Sequence, residues 1–448
     1  MLSPDAALSR LDTALAAARA AGADAADAVY LGDGASHVSV RLGALEDIGR
    51  AEGEEVGLRV FVGNRSASVS SSDLTPAALA EAASRAVAMA RLAPDDPFAG
   101  LAPADRLATG ALPDFDIDDP TDISAADLKL RALACEDEAR AIAGITNSEG
   151  ASASAGVVVM ALATSTGFRG ARRSTSHSLS ASVVAGTGSD MQRDYAWHSA
   201  RHLADVESPD DIGRRAGTRA VQRLNPVKLA SASLPVLFDP RVSASLLGHL
   251  VGAVTGSAIA RGTSFLKDRL GQRILPAGLH LIDDPRRLRG LRSRGFDGEG
   301  LPTARTAIID DGVLTNWLMD VASAKQLGLS PTGHASRGAA GPPGAGTTNL
   351  HLEGGSVSRA DLIADIKRGV LVTELIGMGV NGLTGDYSRG ASGFLIENGE
   401  ITQPVAEITI AGNLIIMFAA MIAADDLSFR HASNAPTLRI DGMMVAGS

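Results

Sequence analysis

Forty-nine glycines spread along 448 residues, rather than gathered in one tract, are the strongest constraint on what this chain can fold into. Glycine weakens helix and strand interiors but admits the backbone conformations of tight turns, so an even distribution predicts many short connections between strands. The interior must be built from small and aliphatic side chains. Aromatic residues make up only 3% of a chain that is 45% hydrophobic, which leaves Ala, Val, Leu and Ile to fill it. The length exceeds what one ordinary core serves, and two or three domains are expected.

Two hydrophobic periods alternate along the chain. Ser3-Pro4 reads as an N-cap and first helical position, with Gly22 ending the helix. Thr75-Pro76 opens a second helix reaching about Leu92, Ser124 caps a third that ends near Gly144, and Ser208-Pro209 begins a fourth. Between these, Ala28 to Leu31, Val38 to Val40 and Val56 to Val62 are strand-like, and Gly63-Asn64 turns the last into Ala67-Ser68-Val69, giving a small antiparallel sheet. Gly156 to Leu162 and Ser174 to Val184 follow around a Ser165-Thr166-Gly167 turn, and the Ser/Thr alternation of the latter implies a sheet with one wet face. After Asn225-Pro226 the texture changes. Val236-Leu237-Phe238 is a short strand, Asp239-Pro240 leads into a helix over 241–254, and Ile308 to Leu314 and Phe394 to Ile401 read as strand, Asx-Gly turn, strand. The predicted class is α+β: an N-terminal α/β domain, 1–225, with antiparallel sheets and flanking helices, divisible near 95–122, and a β-rich C-terminal domain, 226–448.

A net charge of −10 argues against nucleic acid as the main partner. The local basic run Arg286, Arg287, Arg289, Arg292 and Arg294 reads as a solvated loop balanced by Asp283, Asp284, Asp297 and Glu299. The carboxylates of Asp114, Asp116, Asp118 and Asp119 read as a solvated linker rather than a metal site. The lone Cys135 sits in a helical pattern and is expected as a buried structural thiol, which together with the absence of a second cysteine points to a reducing compartment. No secretory signal is visible, and the longest apolar run, Leu414 to Ala424, is about half of the ~20 residues a spanning helix needs. A cytoplasmic protein without a membrane partner is the expectation.

Two motifs imitate functional ones. Gly377-Met378-Gly379-Val380-Asn381-Gly382 fits G-x-G-x-x-G, but turn-forming sequence follows where a dinucleotide site needs a helix. The loop Gly333 to Gly346 lacks the Lys-Ser/Thr of a P-loop and reads as an ordinary long loop. His198 and His202 have the i, i+4 spacing of a helical metal pair, although no Glu follows the first and Tyr195 and Trp197 make a packed structural pair equally natural. No G-x-S-x-G elbow occurs.

The segment Leu246-Leu247-Gly248-His249-Leu250-Val251-Gly252-Ala253 has the frame of a zinc-protease helix without its ligands. With Thr146 to Ser152, Phe265-Leu266-Lys267-Asp268, Phe296-Asp297-Gly298-Glu299-Gly300, Gly379 to Phe394 and Glu407 to Leu414, it resembles the TldD/TldE (PmbA) family of zinc-dependent peptidases along nearly the whole chain, on the TldE/PmbA branch. The resemblance implies a TldD helix reading Leu-Leu-His-Glu-x-x-Gly-His, with a later cysteine completing the site. On this chain the first His falls on Gly248, the Glu on His249 and the second His on Ala253, and no cysteine follows Cys135. It therefore implies no catalytic, cofactor-binding or metal residue in this chain, and zinc in a TldD-like partner. Together the two chains would cleave unfolded peptides or modified peptide precursors. The alternative is a stand-alone, homodimeric peptide-binding protein on a decayed protease fold, and a homodimer is expected when the partner is absent.

Overall fold

The computed structural model describes residues 1–447. Three of the early helices begin with a hydroxyl cap and a proline. Helix α1 (Pro4–Ala20) is capped by Ser3, α2 (Pro76–Leu92) by Thr75 and α4 (Pro209–Gln222) by Ser208, while α3 (Ala125–Arg140) is capped by Ser124. Each cap oxygen accepts a backbone N–H that the first turn leaves free.

The expected small sheet is part of a larger one. Strands β1 (Ala25–Arg41), β2 (Ala44–Val62), β3 (Arg65–Ser71), β4 (Ile145–Thr164), β5 (Arg169–Ala185) and β6 (Gln192–Ala200) pair antiparallel in the order β3-β2-β1-β4-β5-β6. The two short runs at Ala28 and Val38 belong to one strand that carries its pairing straight through Asp33-Gly34, so the sheet runs unbroken across the 95–122 connector. Period 2 explains the layering. Ala26, Ala28 and Tyr30 at one end, and Val38 and Val40 at the other, share the face covered by the four helices. Val29, Met160 and Leu162 point the opposite way and pack on Phe296, Leu301 and Val321 of the C-terminal half. Cys135 is buried between α3 and the sheet, and burial pushes its thiol up to about 12, as a structural thiol requires.

The C-terminal half is β-rich, as expected. Its elements in order are β7 (Ala232–Phe238), α5 (Pro240–Ala253), α6 (Gly256–Ala260), β8 (His280–Asp283), β9 (Thr306–Asp310), β10 (Val313–Leu314), α7 (Val321–Leu327), β11 (Ala335–Ser336), β12 (Gly344–Ala345), β13 (Leu350–Glu353), α8 (Arg359–Ala364), β14 (Arg368–Ile376), β15 (Asp386–Glu397), β16 (Glu400–Asn413), α9 (Leu414–Ala419), β17 (Ile422–Ala423), β18 (Ser433–Asn434) and β19 (Leu438–Ala446). One sheet runs β16-β15-β14-β7-β19-β17 and closes on itself through β16–β19 pairing; a second runs β10-β9-β8-β13-β18. Closure removes free edges that would otherwise template aggregation. Both Asx-Gly turns are present, with Asp311 and Asn398 at positive φ.

Two loops depart from the sequence reading. Gly333 to Gly346 is a strap rather than an ordinary loop: it carries the β11–β12 hairpin and drives Arg337 into the N-terminal sheet. Gly57 on β2 permits this, because any Cβ there would overlap the carbonyl of Ala339. The basic run is a loop with Arg286, Arg289 and Arg292 exposed, as read, but Arg287 and Arg294 are half-buried and the acids Asp283, Asp297 and Glu299 are buried; Arg289 pairs outward with Asp116 and Asp205, which ties the acidic connector to the C-terminal half. Asp119 is also buried, accepting from the backbone N–H groups of Thr121 and Leu203.

At the junction Asp27 on β1 holds Arg59 at 2.5 Å and Arg337 at 2.5 Å, and Glu299 lies 3.9 Å from Arg59 while accepting from the Val321 N–H. Burial works to raise the Asp27 pKa, and the two guanidiniums outweigh it, holding the carboxyl below its usual range. Glu299 has Arg59 at the outer edge of ion-pair range. Burial pushes it up to about 8, with Asp297 adding repulsion. A carboxyl raised in the folded state binds more protons there than in the unfolded chain between pH 4.5 and 8, so its contribution to stability declines as pH rises through that window. Glu299→Gln removes this decline: its melting temperature should gain on the wild type steadily from pH 4.5 to 8, and parallel curves from differential scanning fluorimetry would show that Glu299 is ionised throughout.

Candidate functional site

The protease-like helix is α5, capped by Asp239 and started by Pro240. Leu246, Leu247, Leu250 and Ala253 are buried in the main C-terminal core, and Val242 and Val251 pack partly against it, so the helix is covered on most sides. One narrow strip is left open. Gly248 and Gly252, one turn apart, are exposed, and a Cβ at either would meet nothing within 4 Å.

Between those glycines His249 is half buried, its Nε2 shielded from solvent without a hydrogen-bond partner. Its ring stands edge-on to Tyr387 with centroids 5.9 Å apart and an interplanar angle of 73°. The Tyr387 hydroxyl is likewise buried and unpartnered, and burial pushes it up to about 12. Burial, reinforced by Arg389, pushes the His249 pKa down, so the ring is neutral at neutral pH. Gly248 and His249 therefore reach the open side of α5, whereas Ala253 turns into the core beside Ser264, whose hydroxyl donates to its carbonyl.

The histidine pair read as a possible helical couple is not on a helix. His198 lies on β6 and accepts the Glu207 N–H, while His202 follows the strand and sits 2.9 Å from the Asp116 carbonyl. Strand pairing with β5 overrode the helical spacing. The G-x-G-x-x-G segment opens no helix, forming turns and a single bridge between Val380 and Tyr387.

A second feature escaped the sequence reading. At the N-terminal end of α5 a cleft of about 370 Å³ is lined by Arg219, Arg241, Arg359, Leu371 and Phe394, and it continues, past the same three arginines, into one of about 540 Å³ reaching Trp197 and Arg430. Helix α4 supplies Arg215, Arg219 and Gln222 at i, i+4 and i+7, on one face, because Ile212, Ala216 and Ala220 hold the other against the sheet. Asp194 bridges Arg223 and Arg241, Asp239 pairs with Arg359, and Glu207 binds Arg215 and Arg430. Arg219 makes only a 3.4 Å contact to the Tyr195 carbonyl, and no carboxylate among the described residues lies within 4.0 Å of it. The sequence signal was the arginine spacing along 214–223.

Family models for the PmbA/TldA metallopeptidase domain 1, central domain and C-terminal domain match residues 26–90, 118–224 and 231–447. Metalloprotease PmbA of Escherichia coli O157:H7 is 40% identical over 412 residues, covering 92% of this chain and 89% of that protein. The chain belongs to the PmbA/TldD metallopeptidase family. Haemophilus influenzae has a metalloprotease PmbA homolog 37% identical over 96% of this chain and 93% of its own, and also a metalloprotease TldD homolog 27% identical over 53% of each. A solved Bacteroides thetaiotaomicron protein, proposed as a DNA gyrase modulator, superposes with a TM-score of 0.92 at 29% identity over the full length of both chains. Within this PmbA/TldD fold the open strip of α5 has a direct energetic consequence. Because an added methyl meets no atom and alanine costs less helix entropy than glycine, Gly248→Ala and Gly252→Ala should each stabilise the protein by roughly 0.5–1 kcal/mol in urea unfolding. A loss of stability in either would mean that the strip is covered.

Proposed function

We propose that this chain is the TldE/PmbA-type subunit of a two-chain zinc-dependent peptidase, with the metal held by a TldD-like partner and unfolded peptides or modified peptide precursors as substrate. The observation that carries the reading is the chemistry at Gly248, His249 and Ala253. Catalytic zinc needs three protein ligands and an open position, and these residues offer one imidazole, a hydrogen and a methyl turned into the core. They do not fit the ion, and no step of hydrolysis is assigned to them.

In this reading the chain covers the partner's metal site, excludes folded proteins and guides extended peptide toward it. The occurrence of a PmbA homolog and a TldD homolog in one organism supports a pair of unequal subunits. Exposed apolar side chains in the C-terminal half support a partner surface there: Ile376, Met378 and Leu383 on the β14–β15 connection, and Ile416 on α9, whose first residue donates to Gly385. The division into parts 1–225 and 226–448, and cytoplasmic residence, belong to the same proposal. No helix among the described residues is long and apolar enough to cross a membrane.

Mixing the purified chain with a TldD-like chain and assaying casein or a short unstructured peptide tests the reading. Neither chain alone should turn over substrate and the mixture should. Stoichiometric zinc in the lone chain by elemental analysis, or a monomer by light scattering that ignores the TldD chain, would overturn it in favour of a family member that has left protease work; a homodimer that binds peptide but ignores TldD favours the stand-alone alternative. The triple substitution Gly248→His, His249→Glu, Ala253→His should still give no efficient peptidase activity, since position 253 faces the core and supporting contacts are missing.

A further inference from the structure

The cleft at the N-terminal end of α5 holds more positive charge than its own carboxylates neutralise. Asp194, Asp239, Glu207 and Glu374 are committed to Arg223, Arg241, Arg359, Arg215 and Arg430, and Asp426 is occupied by the Thr437 N–H and hydroxyl. Arg219 remains, half buried and lining both lobes. A half-buried guanidinium with no carboxylate in ion-pair range has its hydrogen-bonding fork largely unused, and an oxyanion that accepts two parallel N–H bonds would use it.

The rest of the lining narrows the ligand. Arg219 is the one arginine of the cleft with no carboxylate in ion-pair range among the described residues, and its planar fork matches a single carboxylate. Beside Arg219 the floor is apolar, made by Leu371 and Phe394 with the exposed Ile401 at its rim, and Gln222 and Thr373 present an amide and a hydroxyl. A monoanion attached to an apolar body, with a peptide group behind it, has this pattern of charge, grease and hydrogen-bonding capacity. We propose that the cleft centred on Arg219 binds the free C-terminal carboxylate of a peptide, with the terminal side chain resting on Phe394 and Ile401. The proposal rests on the peptide part of the function above but not on the partner.

Fluorescence anisotropy with the lone full-length chain tests it, so a failed TldD assay and a failed carboxylate site are read separately. The probe is a fluorescein-labelled glycine-serine hexapeptide ending in leucyl-phenylalanine, as free acid and as amide. The acid should bind about tenfold or more tightly than the amide. Arg219→Gln should abolish that preference, Arg219→Lys should keep part of it, and Ile401→Glu should weaken the amide by removing apolar surface and the acid further by placing a like charge beside it. Unchanged circular dichroism and melting temperature identify each variant as folded. Absence of binding, equal binding of acid and amide, a preference that survives Arg219→Gln in folded protein, or displacement by inorganic phosphate at the peptide's own concentration would each overturn the proposal.

Discussion

The Asp27–Arg59–Arg337 cluster is the interaction on which the arrangement of the two halves depends. Three charges from β1, β2 and the strap are removed from water together, and each is tolerable only because the others are present. Removing one partner from such a cluster costs roughly 3–5 kcal/mol, because a buried charge is left uncompensated. Apolar packing of Val29 and Leu162 on Phe296 and Leu301 holds the same junction but is indifferent to register. The charged cluster is not, and it forces the strap to enter at Gly57 rather than slide along the sheet.

Helix α5 is held in the C-terminal core by Leu246, Leu247 and Leu250. The helix joins two environments: its N-terminal end, through Arg241, shares Asp194 with Arg223 at the end of α4 and so belongs to the charged cleft, while its middle turns Gly248 and Gly252 to open space. Helix α4 is brought to the cleft by close packing on α3, where a Cβ at Gly213 or Gly217 would collide with the backbone of Cys135 and Ala139. Small residues inside the N-terminal half thus set the position of arginines used at its surface.

Local chemistry was readable from the chain and long-range pairing was not. Hydroxyl-Pro caps at Ser3, Thr75 and Ser208 and the Asx-Gly turns at Asp311 and Asn398 fell where the residues predicted, because each is decided within a few positions. The α5 segment and its missing ligands were also visible. The joining of β1 to β4 was hidden, since strand partners carry no mark of each other's identity. His198 and His202 misled because a spacing of four is meaningful only on a helix. Asp283, Asp297 and Glu299 looked solvated because burial of acids beside arginines leaves the same composition as a wet loop. Arg219 was overlooked among neighbouring arginines, and only the tertiary pairing of the others leaves it free.

The unbroken sheet has a consequence for how the chain is made. Asp27 and Val40 on β1 find their partners at Thr164 and Ala151 on β4, far along the chain. Emerging from the ribosome, β1, β2 and β3 can form a three-stranded meander with α1 and α2 on one face, but one long edge of β1 stays unsatisfied until β4 is synthesised. The chain between Ser71, which ends β3, and Ile145, which begins β4, must be translated while that edge is exposed. More than half of β1 is alanine, glycine, serine and aspartate rather than a continuous aliphatic run, a composition with little tendency to recruit a foreign strand during the wait.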